Sequence, residues 1–399
     1  MDSSAKVFQP YFRLAIKLDM EMNIQAIREE FPVSTRYIFL DHAKVAPVPR
    51  RLQESVEGFI ENACEHGTAD YTRWMEDVEN VRDSFARLIN AAVDEIAFVK
   101  NTSEGINVVA NGIDWRKGDN IVVPDIEFPS NIYPWWNLKR LGVETRMVPN
   151  RKGRVLFDDI VAQTDSRTRV ISVSSVECNS GFRNDLENIG NFCKDKEILF
   201  CVDAIQSLGS LPMDVKKYQI DCLSADGHKW LLGVEGCGGL YISKNVLEKI
   251  HPMVVGWDSV INAHEFMTYD FTLRPDAKRF EEGSVNVMSI KALGASLSLF
   301  HEYKMDFVSE RILTLGDFIL EELRRRDLKI LSSTFPEERS GIISFSGQFD
   351  LSEFYHFIKS QKVLLTVRDR LIRLSPHFYN TKEEMIRFFE LLDDFLKNY

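Results

Sequence analysis

Lys229 stands at the end of an apolar run, a position where lysines are uncommon. It follows the segment DCLSAD, lies between His228 and Trp230, and precedes a glycine-rich stretch from Gly233 to Gly239. A lysine that loses its hydration has a lowered pKa, which makes the neutral, nucleophilic amine accessible. A Schiff-base lysine requires this, whereas the alternative is a lysine whose ammonium group reaches past apolar neighbours to water.

Asp203 occupies a similar position at the end of the very apolar run ILFCVD, and Gln206 follows it three residues later. A lone buried carboxylate is costly unless something cationic lies near it. The segment therefore predicts a carboxylate that meets a cation. A helix N-cap is the alternative that the same residues allow.

Thr102 and Ser103 lie between a strand predicted to end at Lys100 and a helix predicted over residues 104–112, with Ser103 as its possible cap. Free backbone N–H groups at a helix start, together with two hydroxyl groups, suit a phosphate. A common capping box explains the same residues.

The order of these three segments is more informative than any one of them. A phosphate-binding loop, a strand-end carboxylate and a strand-end lysine are what a pyridoxal phosphate (PLP) site needs. The lysine forms a Schiff base with the aldehyde, and the carboxylate keeps the pyridine nitrogen protonated so that the ring accepts electrons.

The elements that must position these residues alternate along the chain. Near-continuous apolar runs predict strands buried on both faces at residues 95–100, 120–124, 168–176, 197–205, 221–226 and 239–244. Helical patterns occur between them, at residues 104–112, 130–141 and 186–196 among others. This alternation predicts a mostly parallel sheet covered by helices, with ligands at the carboxyl ends of the strands.

The pattern changes after about residue 285, where long helical segments, the strand SGIISFSG and a closing helix follow. A capping box from Thr381 to Glu384 marks the start of that closing helix. We predict a large domain at residues 38–285, a smaller α+β domain at 286–399, and an N-terminal segment, residues 1–37, that packs with the smaller domain.

The overall composition is that of a globular protein, with 44% hydrophobic and 27% charged residues and a formal net charge of −11. The acidic balance argues against nucleic-acid binding, which needs clustered Lys and Arg. Six scattered cysteines form no metal-ligand spacing, so we expect no metal site, and they suggest a reducing cytoplasm. No apolar run approaches the ~20 residues of a membrane span.

The sequence resembles the class V aminotransferase family of fold-type-I PLP enzymes, which includes cysteine desulfurases, selenocysteine lyases, kynureninases and isopenicillin N epimerase-like proteins. The resemblance extends from about Tyr37 to Tyr399. It rests on an ordered set of motifs: YIFLDHAKVAPVP, NTSEGIN, EFPSNIYPWW, VDAIQS, SADGHKW, RFEEGSVN and IRLSPHFYNT. It implies an α/β fold, in which a large domain has a mostly parallel mixed sheet sandwiched by helices and a smaller α+β domain follows.

The resemblance implies the roles of the cofactor-binding residues. Lys229 would be the catalytic Schiff-base lysine, Asp203 the partner of the pyridine nitrogen and Gln206 a hydrogen-bond donor to the phenolic oxygen. Phe128 would stack on the ring. The groups that hold the phosphate would be Thr102, Ser103, Asp226 and His228, with Gly283 and Ser284 reaching the phosphate from the neighbouring subunit of a homodimer.

The resemblance also implies a substrate side. Arg373 matches the arginine that binds the α-carboxylate of an amino acid, for which a planar guanidinium is well suited. Asp41, His42 and Ala43 would line the pocket, and Trp257 is a further candidate. Arg373 could instead be a surface residue, although its alternating apolar neighbours indicate a strand.

The chain departs from the desulfurase pattern in ways that bear on the reaction. Desulfurases place a histidine where Phe128 stands, and a persulfide-forming cysteine shortly before the arginine, whereas this chain has no cysteine after Cys237. Cys178 is expected near the outer face of the cofactor, or else is a small buried residue. We therefore expect aminotransferase or lyase chemistry on an amino acid or small amine, with epimerisation or a non-catalytic binding role as alternatives.

Overall fold

The computed structural model describes residues 24–398, so that most of the N-terminal segment predicted for residues 1–37 lies outside the described residues. The strands of this part of the chain are β1 (Ile38–Phe39), β2 (Ile96–Val99), β3 (Asn120–Pro124), β4 (Glu144–Val148), β5 (Thr168–Ser174), β6 (Leu199–Asp203), β7 (Cys222–Asp226), β8 (Gly238–Ile242), β9 (Lys329–Ile330), β10 (Ile343–Ser346), β11 (Val363–Leu364), β12 (Thr366–Arg368) and β13 (Leu371–Leu374).

The helices lie between these strands and after them. They are α1 (including residues 24–29), α2 (Arg50–His66), α3 (Tyr71–Leu88), α4 (Thr102–Gly112), α5 (Tyr133–Trp136), α6 (Phe157–Gln163), α7 (Leu186–Asp195), α8 (Val287–Tyr303), α9 (Met305–Arg325), α10 (Leu351–Ser360) and α11 (Lys382–Asn398).

A seven-stranded sheet in the order β2-β8-β7-β6-β5-β3-β4 forms the centre of the large unit. Its strands run parallel except β8, which pairs antiparallel with both β2 and β7. Successive residues of one strand enter different cores: Val122 packs in the core that contains α3 and α8, and Ile121 in the core that contains α4. A strand of this kind is apolar throughout because both faces are covered. The predicted sandwich, a mostly parallel mixed sheet between helices, is confirmed.

Two predicted elements differ in the structure. Residues 130–141 do not form one helix: short 3₁₀ turns flank the four-residue α5. Pro129 is the first residue of one of these pieces and Pro134 the second residue of α5. A proline lacks the N–H that would continue a helix through it. Strand β4, at Glu144–Val148, was not predicted, because its residues are mostly half-buried and carry charges.

The C-terminal unit has an antiparallel sheet in the order β12-β13-β10-β9 and a core of its own with α9, α10 and α11. The capping box predicted at its last helix is confirmed. The backbone N–H of Thr381 donates to Glu384 at 3.0 Å, and the N–H of Glu384 donates to the Thr381 hydroxyl at 3.3 Å. Arg28 of α1 forms an ion pair with the same Glu384 at 2.9 Å.

Within residues 24–398, no helix has the length and apolar character needed to cross a membrane. The same residues contain no group of three or more His, Cys, Asp or Glu side chains arranged to hold a metal ion.

Candidate active site

A cavity of about 300 Å³ opens at the carboxyl ends of β5, β6 and β7. Most of the site residues predicted from the sequence line it: Ala43, Thr102, Ser103, Phe128, Cys178, Asp203, Gln206, Asp226, His228, Lys229 and Arg373. They come from segments that are far apart in the chain. The parallel strands bring them together, because their carboxyl ends meet at one edge of the sheet.

Lys229 reaches the cavity from a tight turn after β7. The turn is closed by hydrogen bonds from the N–H of Leu232 to the carbonyl of Lys229 at 3.0 Å and from Gly233 to Gly227 at 2.8 Å. The side chain is only 9% exposed, and its Nζ atom lies 5.5 Å from the centre of the Phe128 ring. Burial lowers the pKa of Lys229, against the opposing charge of Asp203.

Asp203 is the last residue of β6 and is fully enclosed. Its Oδ1 atom accepts a hydrogen bond from the N–H of Ile205 at 3.0 Å. Burial raises the pKa of this carboxyl to about 6, although that hydrogen bond and the charge of Lys229 both favour the ionised form. The acid thus faces the cavity with little compensation from the protein.

The amino end of α4 forms another wall. Asn101 caps the helix by accepting a hydrogen bond from the N–H of Glu104 at 2.9 Å, so Ser103 lies within the helix rather than at its cap. The hydroxyl of Thr102 accepts the N–H of Asp226 at 3.0 Å, which ties the helix to β7. A Cβ atom at Gly105 would lie 2.2 Å from the Oγ atom of Ser224, so only glycine permits this approach.

Asp226 and His228 contact each other beside this helix end, with 3.0 Å between Oδ2 of Asp226 and Nδ1 of His228. The Oδ1 atom of Asp226 is buried and has no partner within the described chain. The hydroxyl of Ser103 donates to that of Ser130 at 2.8 Å. Together these groups form a polar wall with unused hydrogen-bonding capacity.

Arg373 projects from β13 into the opposite side of the cavity. Its Nη1 atom donates to the carbonyl of Cys178 at 2.9 Å, and its Nη2 atom lies 3.6 Å from Asp41, whose Oδ1 atom also accepts the Thr366 hydroxyl at 2.7 Å. The Nε atom is buried without a partner among the described residues. Burial lowers the pKa of this guanidinium, and Asp41 supports Arg373 without lining the cavity itself.

Gln206 and Cys178 both line the cavity but are partly engaged elsewhere. The amide of Gln206 donates to Ala43 at 3.1 Å and accepts from Trp230 at 3.0 Å, which leaves one N–H free. The thiol of Cys178 lies 3.9 Å from Arg368, and burial raises its pKa. A thiol in this state is a poor nucleophile.

The remaining predicted residues lie outside the lining of this cavity. The ring of His42 is fully buried and bonded at both nitrogens, to the carbonyl of Ser375 and the hydroxyl of Tyr379, each at 2.8 Å. Gly283 and Ser284 are also absent from the lining, and Gly283 lies beside Trp257 instead.

Several lining residues were not predicted: Lys44, Val45, Asn101, Ser130, Ile205, Glu235 and Arg368. The motifs quoted above already contain five of them, so membership of a motif was a usable signal: Lys44, Val45, Asn101, Ser130 and Ile205. Arg368 had no such signal, because it enters through its position on β12, beside the strand that carries Arg373.

Comparison with known proteins gives a consistent result. The family described as aminotransferase class-V matches residues 38–388. A probable cysteine desulfurase of Methanothermobacter thermautotrophicus is 32% identical over 94% of this chain and 98% of its own length.

Two solved structures share the fold. A cysteine desulfurase of Thermococcus onnurineus NA1 superposes with a TM-score of 0.86 at 22% identity, covering 94% of this chain and 98% of its own. A variant of the cystine C-S lyase C-DES, with glycine covalently linked to its PLP cofactor, superposes with a TM-score of 0.83 at 24% identity, covering 92% and 99%.

Proposed function

We propose a function for this chain from the fact that it belongs to the class-V aminotransferase family. It acts on an amino acid or small amine by aminotransferase or lyase chemistry without a persulfide cysteine. The chain is a PLP-dependent enzyme. The observation that carries the proposal is the convergence of Lys229, Asp203 and Arg373 on one cavity. A binding protein without catalysis would not need a desolvated amine there.

The cavity residues fit PLP. The cofactor carries an aldehyde, an aromatic ring and a phosphate, and the lining offers a buried amine in Lys229, an aromatic face in Phe128 and the amino end of α4. The unpartnered Oδ1 atom of Asp226 and Nε atom of Arg373 are the kind of buried polar atoms that a bound polar ligand satisfies. Bound PLP supplies an electron sink for the carbanion that forms at the substrate Cα.

The residues of the chain divide the remaining work. Arg373 binds the α-carboxylate of the substrate, with Asp41 holding the guanidinium in place. Because burial lowers its pKa, Lys229 can take the proton from the substrate Cα as a neutral general base. Asp203, with a pKa of about 6, is mostly ionised near neutral pH and can hold a proton on the pyridine nitrogen.

The hairpin between β12 and β13 supports the absence of persulfide transfer. Only Asp369 and Arg370 connect the two strands, and both have positive φ angles, +55° and +62°. Such a two-residue turn leaves no loop that could carry a cysteine to the cavity. The cavity thiol, Cys178, is held in a buried turn and is poorly ionised.

A substrate panel tests the proposal. The purified holoenzyme is mixed with single amino acids and small amines, with and without a keto-acid acceptor. Keto acid, ammonia, sulfide and inverted product are then assayed. Keto acid that depends on the acceptor indicates transamination, and acceptor-independent cleavage indicates a lyase. Inverted product alone would establish the epimerase instead, and cysteine-derived persulfide on the protein would refute the absence of persulfide chemistry.

A homodimer with shared sites is part of the proposal. Residues 253–271 expose a set of large apolar side chains that a partner subunit would cover: Met253, Val254, Val255, Trp257, Ile261, Phe266, Met267, Tyr269 and Phe271. Large exposed apolar patches of this kind mark interaction sites. Ser284 lies close to this segment in sequence, and the family resemblance implies a contact from this residue to the partner's cofactor.

Complementation between two inactive variants tests the shared site. Lys229→Ala and Ser284→Asp subunits are mixed, dissociated and reassociated. Mixed dimers regain activity if Ser284 serves the partner's cavity, because one intact site then forms. A fully active monomer in sedimentation would contradict the proposal.

All six cysteines are free, five of them buried, which fits a cytoplasmic enzyme.

A further inference from the structure

We propose that Glu127 is a positioning residue that holds Phe128 in the cavity by tying its loop to the end of β5. This inference deepens the proposed function and rests on it. Glu127 is a buried carboxyl directly before Phe128, and both of its oxygens are used on one residue. Oε1 accepts the backbone N–H of Ser174, and Oε2 bonds the hydroxyl of the same serine at 2.5 Å.

A second connection lies on the other side of Phe128. The Oδ1 atom of Asn131 accepts hydrogen bonds from the hydroxyl of Ser172 at 2.6 Å and from the indole of Trp135 at 3.0 Å. Ser172 and Ser174 are alternate residues of β5, so their side chains leave the same face of the strand. The loop from Glu127 to Asn131 is therefore attached to β5 at both ends.

Phe128 needs this support because its own packing does not hold it. The ring is 38% exposed, whereas the apolar side chains of the two cores are almost fully buried. A ring that stacks on a cofactor must keep its plane and distance before the cofactor arrives. The backbone attachments at Glu127 and Asn131 supply that constraint.

The state of Glu127 fits a hydrogen-bonding role. Burial and the neighbouring charge of Asp203 raise its pKa to about 8, against the hydrogen bonds from Ser174. Ser174 is the donor in both bonds, with its N–H reaching Oε1 and its hydroxyl reaching Oε2. Glutamine can keep both contacts, because its amide oxygen can accept the Ser174 N–H and its amide N–H can donate to the Ser174 hydroxyl.

The test compares Glu127→Gln and Glu127→Ala with the matched control Glu95→Ala. Glu95 is equally buried, 8% exposed, and accepts two backbone N–H groups at 2.9 and 3.0 Å beside strand β2. The first readout is hydrogen exchange of residues 126–136 in protein stripped of cofactor. Glu127→Ala is expected to speed exchange there roughly tenfold, the effect of losing a buried hydrogen bond. Glu127→Gln and Glu95→Ala should leave it unchanged.

The second readout is the induced circular dichroism of bound PLP, which reports how the cofactor is oriented. Glu127→Ala should reduce it as much as Phe128→Ala does, and the double variant should add nothing further. Additive losses, or a loss in Glu127→Gln equal to that in Glu127→Ala, would overturn the positioning role. If Glu127→Ala fails to fold, Ser174→Ala replaces it and must show the same local change in exchange. If Glu127→Ala changes the exchange as expected but the unsubstituted protein binds no PLP, the proposed function is refuted while the attachment of the loop to β5 stands.

Discussion

The chain contains two buried pairs of a cation and a carboxylate that differ in role. One is a structural ion pair, and the other belongs to the reactive centre. Arg82 and Glu281 are 1% and 5% exposed and contact each other twice, at 2.6 and 3.1 Å. Lys229 and Asp203 are 9% and 2% exposed. Among the described residues, however, the Lys229 amine forms no hydrogen bond or ion pair.

The pKa values of Arg82, Lys229 and Asp203 reflect whether each cation contacts its carboxylate. Burial by itself would lower the pKa of Arg82, but the ion pair with Glu281 raises it above the ordinary value. In the cavity burial prevails, lowering the pKa of Lys229 and raising that of Asp203. A buried pair whose members meet is fixed in its charged state, whereas a pair held apart stays able to exchange protons.

The largest effect should come from removing the reactive cation. Lys229→Ala is expected to abolish the visible absorption of the Schiff base and to lower turnover by ~10⁴-fold, the upper range for an acid–base group. Lys217→Ala, at an exposed lysine paired with Glu187, is the control and should keep both. A Lys229→Ala protein with an unchanged spectrum would rule out Lys229 as the cofactor lysine.

Breaking the ion pair between Arg82 and Glu281 should instead reduce the free energy of unfolding. Arg82→Met leaves Glu281 buried without its cation, which costs about 3–5 kcal/mol of unfolding free energy. Arg87→Met removes an exposed pair with Asp83 on the same helix and should cost at most ~1 kcal/mol. Denaturant unfolding measures both, and equal costs would mean that burial does not distinguish the two pairs.

Removing the reactive carboxylate should have the opposite sign. The pKa of Asp203 is about 6 in the folded protein, against 3.8 for a fully hydrated aspartate, so ionisation opposes folding. The penalty is absent below pH 3.8, grows between pH 3.8 and 6, and reaches ~3 kcal/mol above that. Asp203→Asn should therefore stabilise the cofactor-free protein more at pH 7 than at pH 4 in thermal unfolding. A pH-independent gain would contradict the raised pKa.

The cavity was largely predictable from the sequence, because its main residues follow apolar strands directly. A strand end gives both the location of Asp203 and Lys229 and the reason for their desolvation. Six of the seven strands of the central sheet and the capping box at Thr381 were predictable for a similar reason, since both depend on residues close together in sequence.

The ion pair between Arg82 and Glu281 was not predictable, because its two residues are 199 positions apart and neither has a sequence context that indicates a buried charge. The same holds for Glu127, whose partner Ser174 lies 47 residues away, and for His42. A motif placed His42 next to the substrate, but its partners Ser375 and Tyr379 keep the ring in the interior. Hydrogen bonds between residues far apart in sequence determine where such side chains lie, and local sequence patterns do not indicate these bonds.

The two-residue hairpin between β12 and β13 also offers a route by which new chemistry could enter this scaffold. The entropy cost of lengthening a surface loop grows only slowly with its length. An insertion between Asp369 and Arg370 would therefore leave the strand that carries Arg373 in place while giving the chain a tether for a sulfur-accepting thiol. Within such a scaffold, the length of this one turn would decide whether a thiol on the chain could reach the cavity.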